Sequence, residues 1–194
     1  MKIGVYGGTF DPIHIAHLVI AEHAREQLGI DIVLFIPSYV PPHKKEVPVS
    51  SPQDRLKMVD LATRDNPHFQ TIDFEIKQKG KSYTLYTLQH ISEVFNVKRH
   101  ELFLFLGADN YINFHKWKAP EAIYDMCRLA VADRPDISVE QIPHQFDKVE
   151  WVYAPKIQIS SSAIRNRRLN HQSIRYLLPN TVKEYIEYKN LYKS

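Results

Sequence analysis

Short apolar runs alternate with helix-spaced apolar residues along nearly the whole chain, and that alternation leaves few folds open. Ile3 and Val5 open a strand that ends at Gly7-Gly8. From Ile15 to Leu28 the residues Leu18, Ala21, Ala24 and Leu28 fall at helical spacing, with Gly29 as a C-terminal stop. The run VLFI, 33–36, reads as a strand covered on both faces and ending at Pro37. A strand–helix–strand start of this kind joins parallel strands.

The pattern recurs. Ser51, Pro52 and Asp54 form a cap, a first-turn proline and a first-turn acid, heading a helix with Leu56, Val59 and Ala62 inward. Ile72, Phe74 and Ile76 alternate with polar neighbours and predict a half-buried strand. Leu85, Leu88, Ile91 and Phe95 mark a helix, and LFLFLG, 102–107, is a buried strand stopping at a glycine. Shorter strands are expected at 128–132 and 149–153, and helices near 161–169 and 181–190. The stretches 37–50 and 133–148 read as loops. The expected architecture is α/β, a doubly wound (Rossmann-like) parallel sheet with helices on both faces. A single domain over 1–194 is expected, with a small helical C-terminal part.

Composition narrows the class. At 194 residues, 44% hydrophobic and 24% charged, the chain has an ordinary soluble profile and enough length for a sizeable core. No apolar run approaches the roughly 18–20 residues that span a bilayer. The start lacks the basic-then-apolar pattern of a signal peptide, so a cytoplasmic location is expected and no membrane partner. One cysteine, Cys127, excludes an internal disulfide framework and a multi-cysteine zinc site. A net charge of +3 is too mild to imply a nucleic-acid partner. The basic clusters HKK, 43–45, and Arg165, Arg167 and Arg168 read as solvated faces unless a phosphate pocket uses them. Tyr185, Tyr188 and Tyr192 read as exposed; they either mark an interface or finish a helix, which leaves a homo-oligomer open.

Between the first strand and its helix lies GGTFDPIHIAH, Gly7 to His17, at the end of a parallel strand where such sheets bind ligands. Glycines let backbone N–H groups approach a phosphate, and the helix N-terminus adds a favourable dipole. His14 and His17, three apart, can face one side of an early turn and donate to phosphate oxygens. Metal ligation ranks below this, because His23 lies off that face and no carboxylate sits where a zinc protease motif needs one; no protein metal ligands are expected. His68, His100 and His171 read as surface residues. Walker-type and G-x-G-x-x-G loops are both absent.

The stretch GGTFDPIHIAH resembles the first signature of the nucleotidyltransferase superfamily, related to the H-I-G-H of class I aminoacyl-tRNA synthetases. The segment ISSSAIR, 159–165, resembles its second signature, I-S-S-T-x-I-R. PPHK at 41–44, SYT at 82–84, LGADN at 106–110, HKW at 115–117 and DRP at 133–135 are similar in order and spacing to the bacterial nicotinate-nucleotide adenylyltransferases. The resemblance runs from Gly7 to the C-terminal NLY. One departure is Ala16, where the family usually has glycine. In helical geometry alanine costs nothing there; at positive φ or in close ligand contact the methyl would hurt, and helical geometry is expected.

The resemblance implies transfer of AMP from ATP to nicotinate mononucleotide, giving deamido-NAD and pyrophosphate by direct in-line displacement. It implies that His17 donates to the α-phosphate, that His14 contacts the neighbouring phosphates, and that Arg165 and Ser161 hold the pyrophosphate. Gly7, Gly8, Thr9, Phe10, Gly107, Asp109, Arg134 and Ser160 would complete the ATP site. Lys44, Tyr83, Thr84 and Trp117 would take the mononucleotide. Lys44 also reads as a solvated loop lysine, Trp117 as core, and Ser82 as a helix cap beside Tyr83 and Thr84. Mg2+ would arrive with ATP. Sister enzymes acting on nicotinamide mononucleotide or phosphopantetheine are alternatives, the latter generally lacking PPHK and SYT. So is a non-catalytic ATP-binding sensor on the same fold. A synthetase fragment fails on length and on the missing K-M-S-K-S-like loop.

Overall fold

The computed structural model describes residues 1–41, 49–132 and 149–193. Among them, strands β1 (Ile3–Gly8), β2 (Ile32–Pro37), β3 (Phe69–Thr71), β4 (Leu102–Gly107), β5 (Arg128–Ala132) and β6 (Val149–Val152) form one sheet in the order β3-β2-β1-β4-β5-β6. The helices are α1 (Ile15–Leu28), α2 (Pro52–Thr63), α3 (Phe74–Gln78), α4 (Thr84–Phe95), α5 (Ala108–Ile112), α6 (Pro120–Met126), α7 (Ser161–Leu169) and α8 (Asn180–Tyr188). β4 runs parallel to β1, with Ile3 opposite Leu102, and β5 and β6 continue in parallel register. This is the doubly wound α/β order expected from the sequence, and the strand order reverses between β1 and β4.

The chain divides into two compact units. The first comprises Met1–Gly7, Val19–Leu34 and Tyr83–Lys156. Its core is built on the fully covered run Leu102–Leu106, flanked by Ile3 and Val5, by Leu129–Val131, and by Leu88 and Ile91 of α4. A strand buried on both faces has no polar side to alternate, which is why LFLFL carries none. Gly4 serves this packing: a Cβ there would stand 2.7 Å from the Phe105 ring.

The second unit comprises Gly8–Leu18, Phe35–Ser82 and Ile157–Ser194. Its helix α2 begins as the sequence predicts, Ser51 Oγ accepting the Asp54 N–H at 3.0 Å with Pro52 in the first turn. α8 packs on α2, its Val182 and Ile186 are buried, and Thr181 Oγ1 donates to Leu61 O at 3.0 Å.

Three local expectations are corrected. Residues 72–76 are not a strand: β3 occupies Phe69–Thr71, and Phe74–Gln78 forms one helical turn with Lys77 N–H on Asp73 O. Ile72 and Ile76 are also four apart, so a three-point alternation fits a helix equally well. The buried face of α2 is Arg55, Met58, Val59 and Thr63, while Leu56 and Ala62 are half-buried. Arg55 can face inward because backbone carbonyls receive its guanidinium. Ser82 does not cap α4; its Oγ accepts the Tyr39 N–H at 2.9 Å, and Tyr83 stands at the cap position without a side-chain hydrogen bond.

Candidate active site

In the second unit the segment Gly8–Leu18 leaves β1 and enters α1 under several constraints. Phe10 takes a left-handed backbone (φ +49) and lays its ring over Gly8, where an added Cβ would meet ring carbons at 2.8 Å. That ring cannot easily yield, since it also meets Phe35 at 6.0 Å and the edge of His17 at 5.2 Å between centroids. Gly8 is therefore required by packing.

The imidazoles of His14 and His17 do face one side, stacked with centroids 3.7 Å apart and planes at 26°. His14 N–H donates to His17 Nδ1 at 3.2 Å, and His17 N–H donates to His14 O at 3.0 Å. With Nδ1 as acceptor, the neutral ring carries its proton on Nε2. Ala16 lies within α1, in helical geometry as expected, and is buried.

Through this turn the carbonyls of Thr9, Asp11 and Pro12 are each met by a side-chain donor. Arg55 Nη1 reaches Thr9 O at 2.8 Å and its Nη2 reaches Tyr39 O at 3.0 Å. Arg165 Nη1 reaches Asp11 O at 2.8 Å, and Ser161 Oγ reaches Pro12 O at 2.9 Å. Ser160 caps α7, its Oγ accepting the Ala163 N–H at 3.2 Å. Thus the second signature is seated on the first, and α7 starts beside the histidine turn.

In the first unit Gly7 and Gly107 stand at the C-terminal ends of the adjacent strands β1 and β4. A Cβ at either would meet nothing within 4 Å, so the space over both backbones is open to a ligand. Asp109 is exposed in the first turn of α5. Tyr83 and Thr84 stand at the start of α4, and Trp117 is half-buried with its ring 5.4 Å from that of Phe114. Lys118 Nζ lies 4.6 Å from both the Tyr83 and the Tyr86 ring centroids and donates to Tyr86 OH at 2.6 Å. The Tyr86 hydroxyl raises the Lys118 pKa, so the cation persists. Lys44 and Arg134 lie outside the described residues.

Residues 5–167 match the cytidylyltransferase-like family. The chain belongs to the cytidylyltransferase-like family. Among curated relatives, a probable nicotinate-nucleotide adenylyltransferase of Exiguobacterium sibiricum is 41% identical over 194 residues, covering 100% of both chains. A protein of the same description from Dehalococcoides mccartyi is 38% identical over 199 residues, covering 99% of this chain and 97% of the relative. The fold is also that of Plasmodium falciparum nicotinic acid mononucleotide adenylyltransferase complexed with NaAD. That structure has a TM-score of 0.79 and 19% identity, with 98% of this chain and 97% of that one covered.

For this cytidylyltransferase-like chain, sequence reasoning missed the buried polar side of the histidine turn. The Asp11 carboxylate accepts Val49 N–H at 2.8 Å, Ser50 N–H at 3.3 Å, the Ser50 hydroxyl, and Tyr192 OH at 2.7 Å. Tyr192 was expected at the surface but is only 8% exposed. Burial pushes its phenol well above the usual range, and the Asp11 charge adds to this. Burial likewise lowers the Arg55 pKa from its ordinary value, against the pull of Asp11. The available signal was Arg55 itself, an arginine one residue from an apolar helix position. Among the described residues no three His, Cys, Asp or Glu side chains cluster as a metal site, and no helix is long and apolar enough to cross a membrane.

Proposed function

We propose that the protein is a nicotinate-nucleotide adenylyltransferase of NAD biosynthesis, acting in the cytoplasm on small molecules. A phosphate oxygen of nicotinate mononucleotide attacks the α-phosphorus of ATP, the α–β bridging bond breaks, and pyrophosphate leaves with the electron pair. The attacking phosphate is already anionic at pH 7, so no general base and no covalent intermediate are needed. The work left to the protein is positioning and charge stabilisation.

The observation that carries the reading is the stacked pair His14–His17, whose internal hydrogen bond assigns the Nε2 proton of His17 as a donor. That donor serves the α-phosphate as negative charge develops, and His14 contacts the phosphates beside it. Arg165 and the first N–H groups of α7, including that of Ser161, hold the leaving pyrophosphate. The Ser161 hydroxyl supports this indirectly, by bracing Pro12 O. Open backbone at Gly7 and Gly107 admits the nucleotide, with Gly8, Thr9, Phe10 and Ser160 shaping the turn and Asp109 on the ribose. Tyr83, Thr84 and Trp117, with Lys44 and Arg134, keep the roles their motif positions imply. Mg2+ enters as part of the Mg-ATP substrate, carried by phosphates and water.

The test is pyrophosphate release from Mg-ATP with nicotinate mononucleotide, beside the amidated mononucleotide and phosphopantetheine. Strong preference for the acid is expected. Preference for the amide would keep the histidine chemistry and reject the acceptor assignment. No release with any acceptor, alongside tight ATP binding, would reject the reaction.

A further inference from the structure

We propose that Tyr192 is a positioning residue for ATP, acting through Asp11 on Arg165. The proposal rests on the reading of Arg165 as a phosphate-holding group. Asp11 is 5% exposed and is gripped at both ends by parts of the chain far from it in sequence. Its carboxylate takes Tyr192 OH, 181 residues away, together with Ser50 and Val49. Its carbonyl takes Arg165 Nη1, 154 residues away. The two grips share one residue, so the orientation of the Asp11 peptide and the place of the Arg165 guanidinium are linked.

Tyr192 is built for this contact. Its backbone is left-handed at φ +60, a conformation that costs free energy for a non-glycine residue and persists when its surroundings impose it. Its hydroxyl lies 2.7 Å from Asp11 Oδ1 and 3.1 Å from Ser50 Oγ, with Met58 Sδ at 4.0 Å. The charged groups that face the pair are Arg165 on α7, which acts on Tyr192, and Arg55 on α2, which interacts with both Asp11 and Tyr192 and in turn with Glu75 on α3. A phenylalanine would pack as well against Met58 but would leave Oδ1 short of a donor. Val49 and Ser50 would still hold the carboxylate, but with one grip lost it would shift toward Arg55 and strain the Asp11 carbonyl away from Arg165. Histidine-turn geometry downstream, at Pro12 to His14, would shift with it.

The test compares wild type with Tyr192→Phe by steady-state kinetics and by calorimetric binding of a non-hydrolysable ATP analogue. Expected are an about tenfold loss of analogue affinity and of kcat/KM for ATP, with KM for the mononucleotide within twofold. In an Arg165→Lys background the same substitution should add less than twofold, because the effect runs through Arg165. Ser50→Ala, acting on the same carboxylate oxygen, should reproduce the pattern and serves if Tyr192→Phe does not fold. A lowered melting temperature with unchanged ATP parameters would overturn the proposal, as would full additivity with Arg165→Lys. A wild type that binds the analogue but releases no pyrophosphate would reject the reaction alone, leaving analogue affinity to decide Tyr192. A wild type that does not bind the analogue would overturn both.

Discussion

The backbone N–H of His14 donates to Nδ1 of His17, and the two rings stack above that bond. A single tautomer of His17 follows, with Nε2 protonated in the neutral ring. Nitrogen NMR of the labelled protein should show an Nε2–H tautomer for His17, and His17→Ala should lower kcat by about 10²–10³. A loss under threefold would remove His17 from the transition state. Ala16→Gly should stay within tenfold of wild-type turnover, since position 16 is helical.

Gly7 and Gly8 are neighbours with opposite expectations. Gly8→Ala forces its methyl against Phe10 and should cost about 1–3 kcal/mol in urea unfolding. Combining it with Phe10→Leu should recover part of that loss, a non-additive cycle. Gly7→Ala meets open space, so its stability should change by about 0.5 kcal/mol or less. Weakened ATP affinity in Gly7→Ala would then report a ligand approaching that backbone; unchanged affinity would remove Gly7 from the site.

Trp117→Ala should raise KM for the mononucleotide about tenfold while leaving that for ATP within twofold. The ring is half-buried and meets Phe114 at a tilt, so a general structural loss would raise both constants together.

Asp54 and Tyr185 tie α2 to α8 by a 2.8 Å hydrogen bond. Burial alone would raise the Asp54 pKa, but the Ser51 and Tyr185 hydroxyls and Lys189 outweigh it and hold the carboxyl below its ordinary 3.8. Burial and then Asp54 push the Tyr185 phenol up to about 12 from 10. A depressed acid stabilises the fold above its unfolded pKa, and the contribution is lost as pH falls through the folded value. A raised phenol stabilises below 10 and loses that contribution as pH climbs through about 12. Tyr185→Phe should therefore cost about 1–2 kcal/mol at pH 7 in urea titrations, with a smaller gap near pH 3. A gap that stays constant in acid would show that the carboxylate charge is not what Tyr185 meets.

Cys127 is fully buried, its Sγ 3.3 Å from Ile123 O, and burial pushes the thiol up to about 12. The native protein should not react with a thiol reagent at pH 8, and one equivalent should react on unfolding. Prompt reaction in the native state would contradict that packing.

Most of what the sequence revealed concerns short-range patterns. The run LFLFLG reads as a covered strand, and it is; Ser51 heads α2 as expected because its oxygen meets an amide three residues on. The spacing of His14 and His17 was equally legible, since three residues of helix bring two rings together. The partners of Asp11 were not. Nothing local links residue 11 to Ser50 and Tyr192, and a tyrosine near the end of a polar helix gives no sign that its hydroxyl will be buried. At 72–76 three alternating apolar residues were too few to separate a strand from one helical turn.

The hydrogen bond from Tyr192 to Asp11 joins residues 181 apart, and that has a consequence for synthesis. While a ribosome is still adding the segment after α8, Asp11 has emerged but its phenol partner has not been made. Until Tyr192 has been made the histidine turn lacks that grip, so a shorter nascent chain would hold ATP poorly however well its sheet has formed.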